Sequence, residues 1–458
     1  PFPITAEHFR KCQESKRSMQ TENLGFIVND CTLQDLMRGD TEQTKATPTF
    51  FADFSLAVRQ LYQEKYAVSE AIQQEREYVR AGVEALVAQS GVFPPGTRVS
   101  IFGSSANGFG SPSSDIDMCL QIPPAHKLDE DDATGSQAME KLATFFESAE
   151  VKNVDVSRLS ARIPIVKFNF PRTKIDDPDK THIECDLCMQ NPLALLNTTL
   201  LRSYADISPA ARIMASIVKR WAVSRDINNP AKHSLSSYGY IIMLLHFLTS
   251  HCVTKEGTIG PYLQNVGAPM VPSLQWMDLE WARSPPGIPY MELPQKPNKK
   301  MPHPTEANYF VNPYFCHIPN RESVAHMQNK LADLQSSVGL LLLAFFRFYA
   351  FEFDYKSHVV SLNATLRRGP MSREVKAEHD AWRLYSSILS VEDPFETFYD
   401  VAHVVKAGSH HRIRKEFALA FTKLADASTN NMGQWDNKKF TSGQEFIDWI
   451  CEPLLQST

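Results

Sequence analysis

Residues 98–122 read RVSIFGSSANGFGSPSSDIDMCLQI, and the fold turns on how this stretch is parsed. Arg98 to Phe102 is a short β-rich run. Gly103-Ser104-Ser105-Ala106-Asn107-Gly108-Phe109-Gly110 is a glycine- and serine-rich turn, and Asp115 to Ile122 alternates as a strand does. Period-two geometry puts Asp115 and Asp117 on one face of that strand and sends Ile116, Met118 and Leu120 to the other, into a core. A second strand, Ile183 to Met189 (IECDLCM), groups Ile183, Cys185 and Leu187 on one side and Glu184, Asp186 and Cys188 on the opposite one. If the two strands are neighbours, Asp115, Asp117 and Asp186 converge. Three close carboxylates repel one another unless a cation sits among them. Mg²⁺, or Mn²⁺ in its place, takes carboxylate and phosphate oxygens together. Two such ions about 3.5–4 Å apart clamp an in-line phosphoryl displacement. The turn, following a strand and expected to open a helix, offers backbone N–H groups and the Ser104 hydroxyl to phosphate oxygens.

Composition bounds what surrounds this unit. The chain has 458 residues, 43% hydrophobic and 22% charged, which excludes disorder throughout and leaves room for a large core. With 47 basic and 52 acidic residues the net charge is −5, so a strongly basic protein is excluded but a local basic groove is not. No stretch reaches the roughly 18 apolar residues of a membrane span, and no membrane partner is expected. The eight cysteines are scattered, which fits a reducing, intracellular compartment, cytoplasmic or mitochondrial. Cys185-x-x-Cys188 has no second pair to complete a zinc site.

Outward from the turn, residues 1–49 read as an arm, and 50–89 as helical, 50–64 packing on a helical domain. A catalytic domain spans 65–198, with a helix over 137–148 and a strand over 162–170. From 199 to 458 the chain is mainly helical, over 208–225, 235–251 and 323–352, after a first helix over 192–206. A Pro-, Gly- and aromatic-rich insertion occupies 255–320. Strands and helices in separate halves predict an α+β, two-lobed molecule: a mixed-sheet palm and a mainly helical domain with a cleft between them.

The run FGSSANGFGSPSSDIDMCL resembles the nucleotidyltransferase signature of the DNA polymerase β superfamily. Downstream, LLNTTLLRSY (195–204), IVKRWAVSR (217–225), SLSSYGY (234–240) and VEDPFE (391–396) resemble the helical domain of poly(A) polymerase-like RNA 3′-terminal nucleotidyltransferases. That group includes the terminal uridylyltransferases and fungal C/U-tailing enzymes. The similarity covers roughly residues 50–425 apart from the insertion. It implies template-independent addition of ribonucleotides to RNA 3′ ends, in RNA processing and decay. By the same resemblance Asp115, Asp117 and Asp186 bind two Mg²⁺, and Asp186 helps activate the attacking 3′-hydroxyl. Gly103 and Ser104 hold the triphosphate, Asn197 and Thr198 lie near the ribose, Lys219 and Ser237 near the phosphates, and Tyr238 stacks on the base. The nucleotide-recognition motif falls near 391–416.

Two positions depart from the family pattern. Where a second lysine normally follows the first by one turn, Val223 stands. Where uridylyl-adding members carry a His, Tyr399 stands, followed by Asp400, with His403 one turn on. A carboxylate only accepts hydrogen bonds, so Asp400 aimed at the base edge would favour an exocyclic amino group. A pocket closed by Tyr399 or His403 would disfavour adenine. The expectation is pyrimidine addition from UTP or CTP; poly(A) polymerase-type addition from ATP and a catalytically silent RNA-binding scaffold are the alternatives. Lys406, Arg412, Arg414 and Lys415, with His410, His411 and Lys423, form a basic stretch expected to track the RNA backbone.

Overall fold

A computed structural model describes residues 47–123, 135–161, 163–172, 181–189, 191–251, 338–362, 388–396, 399–429 and 443–452, with short pieces between these. The arm 1–49 and the insertion 255–320 therefore lie almost wholly outside the described residues, as does the 323–337 part of the expected helix over 323–352.

The expected 50–89 helix is two helices. Helix α1 (Thr47–Leu61) runs into a π turn at Tyr62–Tyr66, and the chain extends at Ala67. Helix α2 (Glu70–Ser90) begins on Ser69, whose side chain accepts from Ile72 N–H, and ends on Gly91 in the left-handed region at φ +63°. The break lets the two helices serve different cores. Phe51, Phe54, Val58 and Leu61 of α1 belong to the larger, helical core, and Val79, Val83 and Val87 of α2 belong to the sheet's.

The sheet has five strands in the order β1-β2-β5-β4-β3: β1 (Arg98–Phe102), β2 (Ile116–Gln121), β3 (Lys152–Arg158), β4 (Ile165–Pro171) and β5 (His182–Met189). Only β2 and β5 are parallel neighbours. Strand β3 carries no sequence signal because it is an edge strand with almost every side chain in solvent, so nothing forces its residues to alternate. Ile116, Met118, Leu120, Cys185 and Leu187 face helix α2 and helix α3 (Ser136–Ser148). On the opposite face Cys119 and Cys188 pack into the helical core. Cys185 and Cys188 thus point into different cores, which rules out a shared metal.

Helices α4 (Pro192–Ile207), α5 (Pro209–Ser224), α6 (Ser237–His246), α7 (Val338–Arg347), α8 (Ala407–Thr429) and α9 (Gly443–Ile450) build the helical core. Trp221, Tyr240, Phe345, Phe346 and Phe417 interlock there, with Trp221 4.9 Å from Phe417 and 5.0 Å from Phe346. Helix α1 closes it. Phe54 meets Phe446 edge-on at 5.3 Å, and a Cβ on Gly339 would lie 2.6 Å from Phe54, so α1 and α7 touch backbone to ring. Among the described residues no helix is long and apolar enough to cross a membrane.

Candidate active site

Strand pairing brings the three carboxylates together. Asp117 is in register with Asp186 across the parallel β2–β5 pair, and Asp186 with Lys167 across β5–β4. Ligand oxygens of Asp115, Asp117 and Asp186 all lie within 4.8 Å of one another. Burial, then the charges of Asp115 and Asp186, pushes the Asp117 carboxyl up to about 7, against the opposing pull of Lys167. The Lys167 ammonium sits on Asp186, at 2.9 Å from Oδ1 and 2.7 Å from Oδ2. An all-oxygen donor set, crowded enough to hold one proton and to draw in a lysine, fits a hard divalent cation. Lys167 lies outside the motifs that carry the family resemblance. Its signal was there in RIPIVKFNF, where a lysine between the buried Val166 and Phe168 must face away from the core.

The turn before β2 is shaped by the same carboxylates. Gly103 has φ +66°, and a Cβ there would run into Asp117 Oδ2, so glycine lets the chain pass the acid. Gly103–Ser105 is a single 3₁₀ turn and opens no helix; the chain continues as a loop to Asp115. The Gly103 N–H is already used, donating to Thr198 Oγ1 at 2.9 Å, while that hydroxyl donates to Ala194 O at 2.7 Å. Thr198 therefore braces α4 against the turn. Ser104 is half-buried beside the turn.

Phe109, further along the loop, is buried in the helical core, and its carbonyl accepts from Lys219 Nζ at 3.0 Å. Burial lowers the Lys219 ammonium's pKa and Asp115 pulls it back up, which places Lys219 within electrostatic reach of the acids. Val223, one turn on, is 62% exposed and supplies no charge. Ser236 caps α6 by accepting from Gly239 N–H, and Ser237 accepts from Asn228 Nδ2 at 2.8 Å.

Asn197 and Tyr238 are brought together by Asp393, which lies within VEDPFE. Tyr238 Oη donates toward Asn197 Oδ1 at 2.7 Å and Asp393 Oδ2 at 3.0 Å. Burial, then Asp393, holds the Tyr238 hydroxyl well above its usual range, so it stays a donor. Asp393 Oδ1 accepts from the N–H groups of Phe395 and Glu396, both at 2.9 Å, and Asp393 N–H donates to Tyr399 O at 3.1 Å. The 391–399 segment thereby closes into a loop whose half-buried Tyr399 ring lies 5.2 Å from that of the exposed His403.

Asp400 is a correction. It is 0% exposed, and its Oδ1 accepts from Val391 N–H at 2.9 Å and Ala402 N–H at 2.8 Å. It holds the recognition loop from behind and does not present a carboxylate to a base. The basic track is corrected in part. Arg414 donates to Ala350 O at 3.1 Å with its guanidinium 5.1 Å from the Tyr355 ring centre, and Arg412 donates to Arg225 O at 2.9 Å. Arg414 is thereby held inside the helical domain, while the Arg412 side chain stays 40% exposed beside Asp226. Lys406 is exposed, 2.8 Å from His233 Nε2, and Lys415 is half-buried.

A mixed sheet carrying three convergent carboxylates beside a glycine-serine turn, faced by a helical lobe with a Tyr–Asn–Asp cluster, defines a nucleotidyltransferase palm and its partner domain. Comparison with known proteins shows what the chain is similar to. Residues 54–206 match the family described as "Poly(A) RNA polymerase, mitochondrial-like, central palm domain", and 337–397 match "Cid1 family poly A polymerase". The chain is thus similar to the poly(A) polymerase-like RNA 3′-terminal nucleotidyltransferases in both segments. It is 28% identical over 400 residues to human terminal uridylyltransferase 7, covering 87% of this chain and 22% of that one. It is 27% identical to the poly(A) RNA polymerase GLD2 of Xenopus tropicalis, covering 77% and 54%, and 27% identical to terminal uridylyltransferase cid1 of Schizosaccharomyces pombe, covering 73% and 70%. The chain thus spans less than two thirds of the first of these curated relatives. Among solved structures, the Cid1 poly(U) polymerase superposes with TM-score 0.56 at 24% identity, covering 82% of this chain and 98% of that one. A cytoplasmic RNA terminal U-transferase gives 0.58 at 23%, covering 88% and 99%.

Proposed function

We propose that the protein adds ribonucleotides to the 3′-hydroxyl of RNA without a template, UMP and CMP first, using Mg²⁺. The observation that carries the reading is the in-register pair Asp117–Asp186, completed by Asp115 and facing the Ser104 turn. Relatives described as uridylyltransferases and as poly(A) polymerases support the class of reaction. Two Mg²⁺ held by Asp115, Asp117 and Asp186 would supply charge neutralisation for the triphosphate and ease ionisation of the 3′-hydroxyl. Asp186 accepts the hydroxyl proton and passes it to solvent. The oxygen then forms a bond to the α-phosphorus as the α–β bridge breaks, and pyrophosphate leaves. Ser104 and Lys219 hold the leaving phosphates, and Asn197 with Tyr238 orients the nucleoside.

Base choice falls to Tyr399 and His403 now that Asp400 is turned inward. A phenol both donates and accepts, so Tyr399 can serve O4 of uracil or the amino group of cytosine. Its bulk beside His403 disfavours a purine. The test is a labelled single-stranded RNA incubated with Mg²⁺ and each nucleoside triphosphate separately. UTP and CTP tails exceeding ATP tails are expected. Tails mainly from ATP would leave the transfer reaction standing and overturn the base assignment.

A further inference from the structure

We propose that Arg76 is a positioning residue for the triphosphate: its buried guanidinium fixes the distance between the Ser104 turn and the Asp115 carboxylate. The buried stripe of α2 runs Arg76, Val79, Val83, Val87, spaced three, four and four residues apart. An apolar residue would complete that stripe, yet its first position is an arginine, 4% exposed. The guanidinium reaches under the loop between β1 and β2. Nη1 donates to Ser105 O at 2.9 Å, and Nη2 donates to Ser111 O at 2.7 Å.

These two carbonyls stand at opposite ends of the loop. Ser105 follows Ser104 directly, and its hydroxyl donates to the Asp115 carbonyl. Ser111 N–H donates to Ser114 Oγ at 3.0 Å, which closes the turn leading into Asp115. One planar fork therefore ties the phosphate-binding end of the loop to the acid-bearing end. A lysine in its place would bring a single ammonium and lose the planar two-point fork. Among the described residues the buried Nε–H finds no hydrogen-bond partner, a cost that an apolar side chain filling the same stripe would avoid. From the far side the loop is held by Thr198 and Lys219, so Arg76 is the palm's own grip on a segment otherwise fastened to the helical lobe.

The helix also provides a control. Glu75, one residue earlier, forms a two-point ion pair with Arg172, at 2.9 and 2.7 Å. Breaking it costs stability while leaving the Arg76 fork on the two carbonyls in place.

The inference rests on the nucleotidyl-transfer reading, and one set of measurements separates the two. Equilibrium binding of a non-hydrolysable UTP analogue with Mg²⁺, and of UMP, is measured for the unsubstituted chain, Arg76→Met, Arg76→Lys and Arg172→Gln, with the melting temperature of each. Arg76→Met is expected to weaken the analogue about tenfold or more, because a misplaced phosphate cradle is felt steeply. Its UMP binding is expected within about twofold, since the nucleoside contacts lie in the other lobe. Arg76→Lys is expected to recover part of the loss, and it carries the comparison if Arg76→Met does not fold. Arg172→Gln is expected to melt earlier and to bind both ligands as the unsubstituted chain does. Undiminished analogue binding in Arg76→Met or Arg76→Lys, or equal weakening of analogue and UMP, would overturn the positioning role. An unsubstituted chain that binds neither ligand would contradict the transfer reading, and this inference with it.

Discussion

Asp117 shows how a single residue carries both cost and function. Its carboxyl is pushed up to about 7 because it is partly buried between two other acids. Replacing it with Asn removes a charge that the metal-free fold must tolerate. Asp117→Asn is therefore expected to melt at the same or a higher temperature than the unsubstituted chain without Mg²⁺. Added Mg²⁺ is expected to raise the melting temperature of the unsubstituted chain and to leave that of the variant nearly unmoved. Scanning calorimetry with and without the ion checks both, and a variant still stabilised by Mg²⁺ would place the metal elsewhere. Asp400 behaves in the opposite sense. Asp400→Ala leaves the N–H groups of Val391 and Ala402 unpaired in a buried site, at a cost of about 2 kcal/mol or more. Because the carboxylate faces away from the pocket, the ratio of CTP to UTP use in surviving enzyme is expected to stay unchanged, as competition kinetics would read directly.

At the scale of elements, what the sequence revealed depended on where each side chain's partners lie. The acids on β2 and β5 were legible because alternation alone assigns them a face, and only strand adjacency had to be added. The bracing roles of Asp400 and Thr198 are not legible because a partner of each comes from further along the chain. Val391 N–H lies nine positions from Asp400, and Gly103 N–H lies 95 positions from Thr198, so no local pattern announces either bond. Arg412 and Arg414 looked like a charged helix face, yet the carbonyls they bind sit on other elements. Strand β3 was invisible because an exposed edge imposes no alternation. Helix α8 makes a prediction of its own. His410 is buried against the Tyr355 ring at 4.7 Å, and burial, with Arg414, His411 and Arg373 adding to it, lowers its pKa to about 4. A group lowered on folding contributes stability that is complete above its unfolded value near 6.5 and is lost as pH falls towards 4. His410→Gln is expected to flatten the decline of the urea midpoint between pH 6.5 and 4. An unchanged acid slope would mean that other groups govern it.

Across the whole molecule, two cores are laced together at the site. Phe109 of the palm loop is buried in the helical core, the Lys219 ammonium of the helical lobe holds its carbonyl, and Thr198 holds Gly103. The acids, the Gly103–Ser105 turn and the Tyr238 cluster therefore belong to one assembly drawn from both lobes, and the proposed reaction rests on the palm's carboxylates in particular. The most direct measurement extends a 5′-labelled single-stranded RNA with Mg²⁺ and nucleoside triphosphates, using the unsubstituted chain and Asp186→Asn side by side. The unsubstituted chain is predicted to lengthen the RNA stepwise from its 3′ end, and Asp186→Asn to leave it at its starting length while melting at a similar temperature. Equal extension by Asp186→Asn, or no extension by the unsubstituted chain with any nucleotide, would contradict the account.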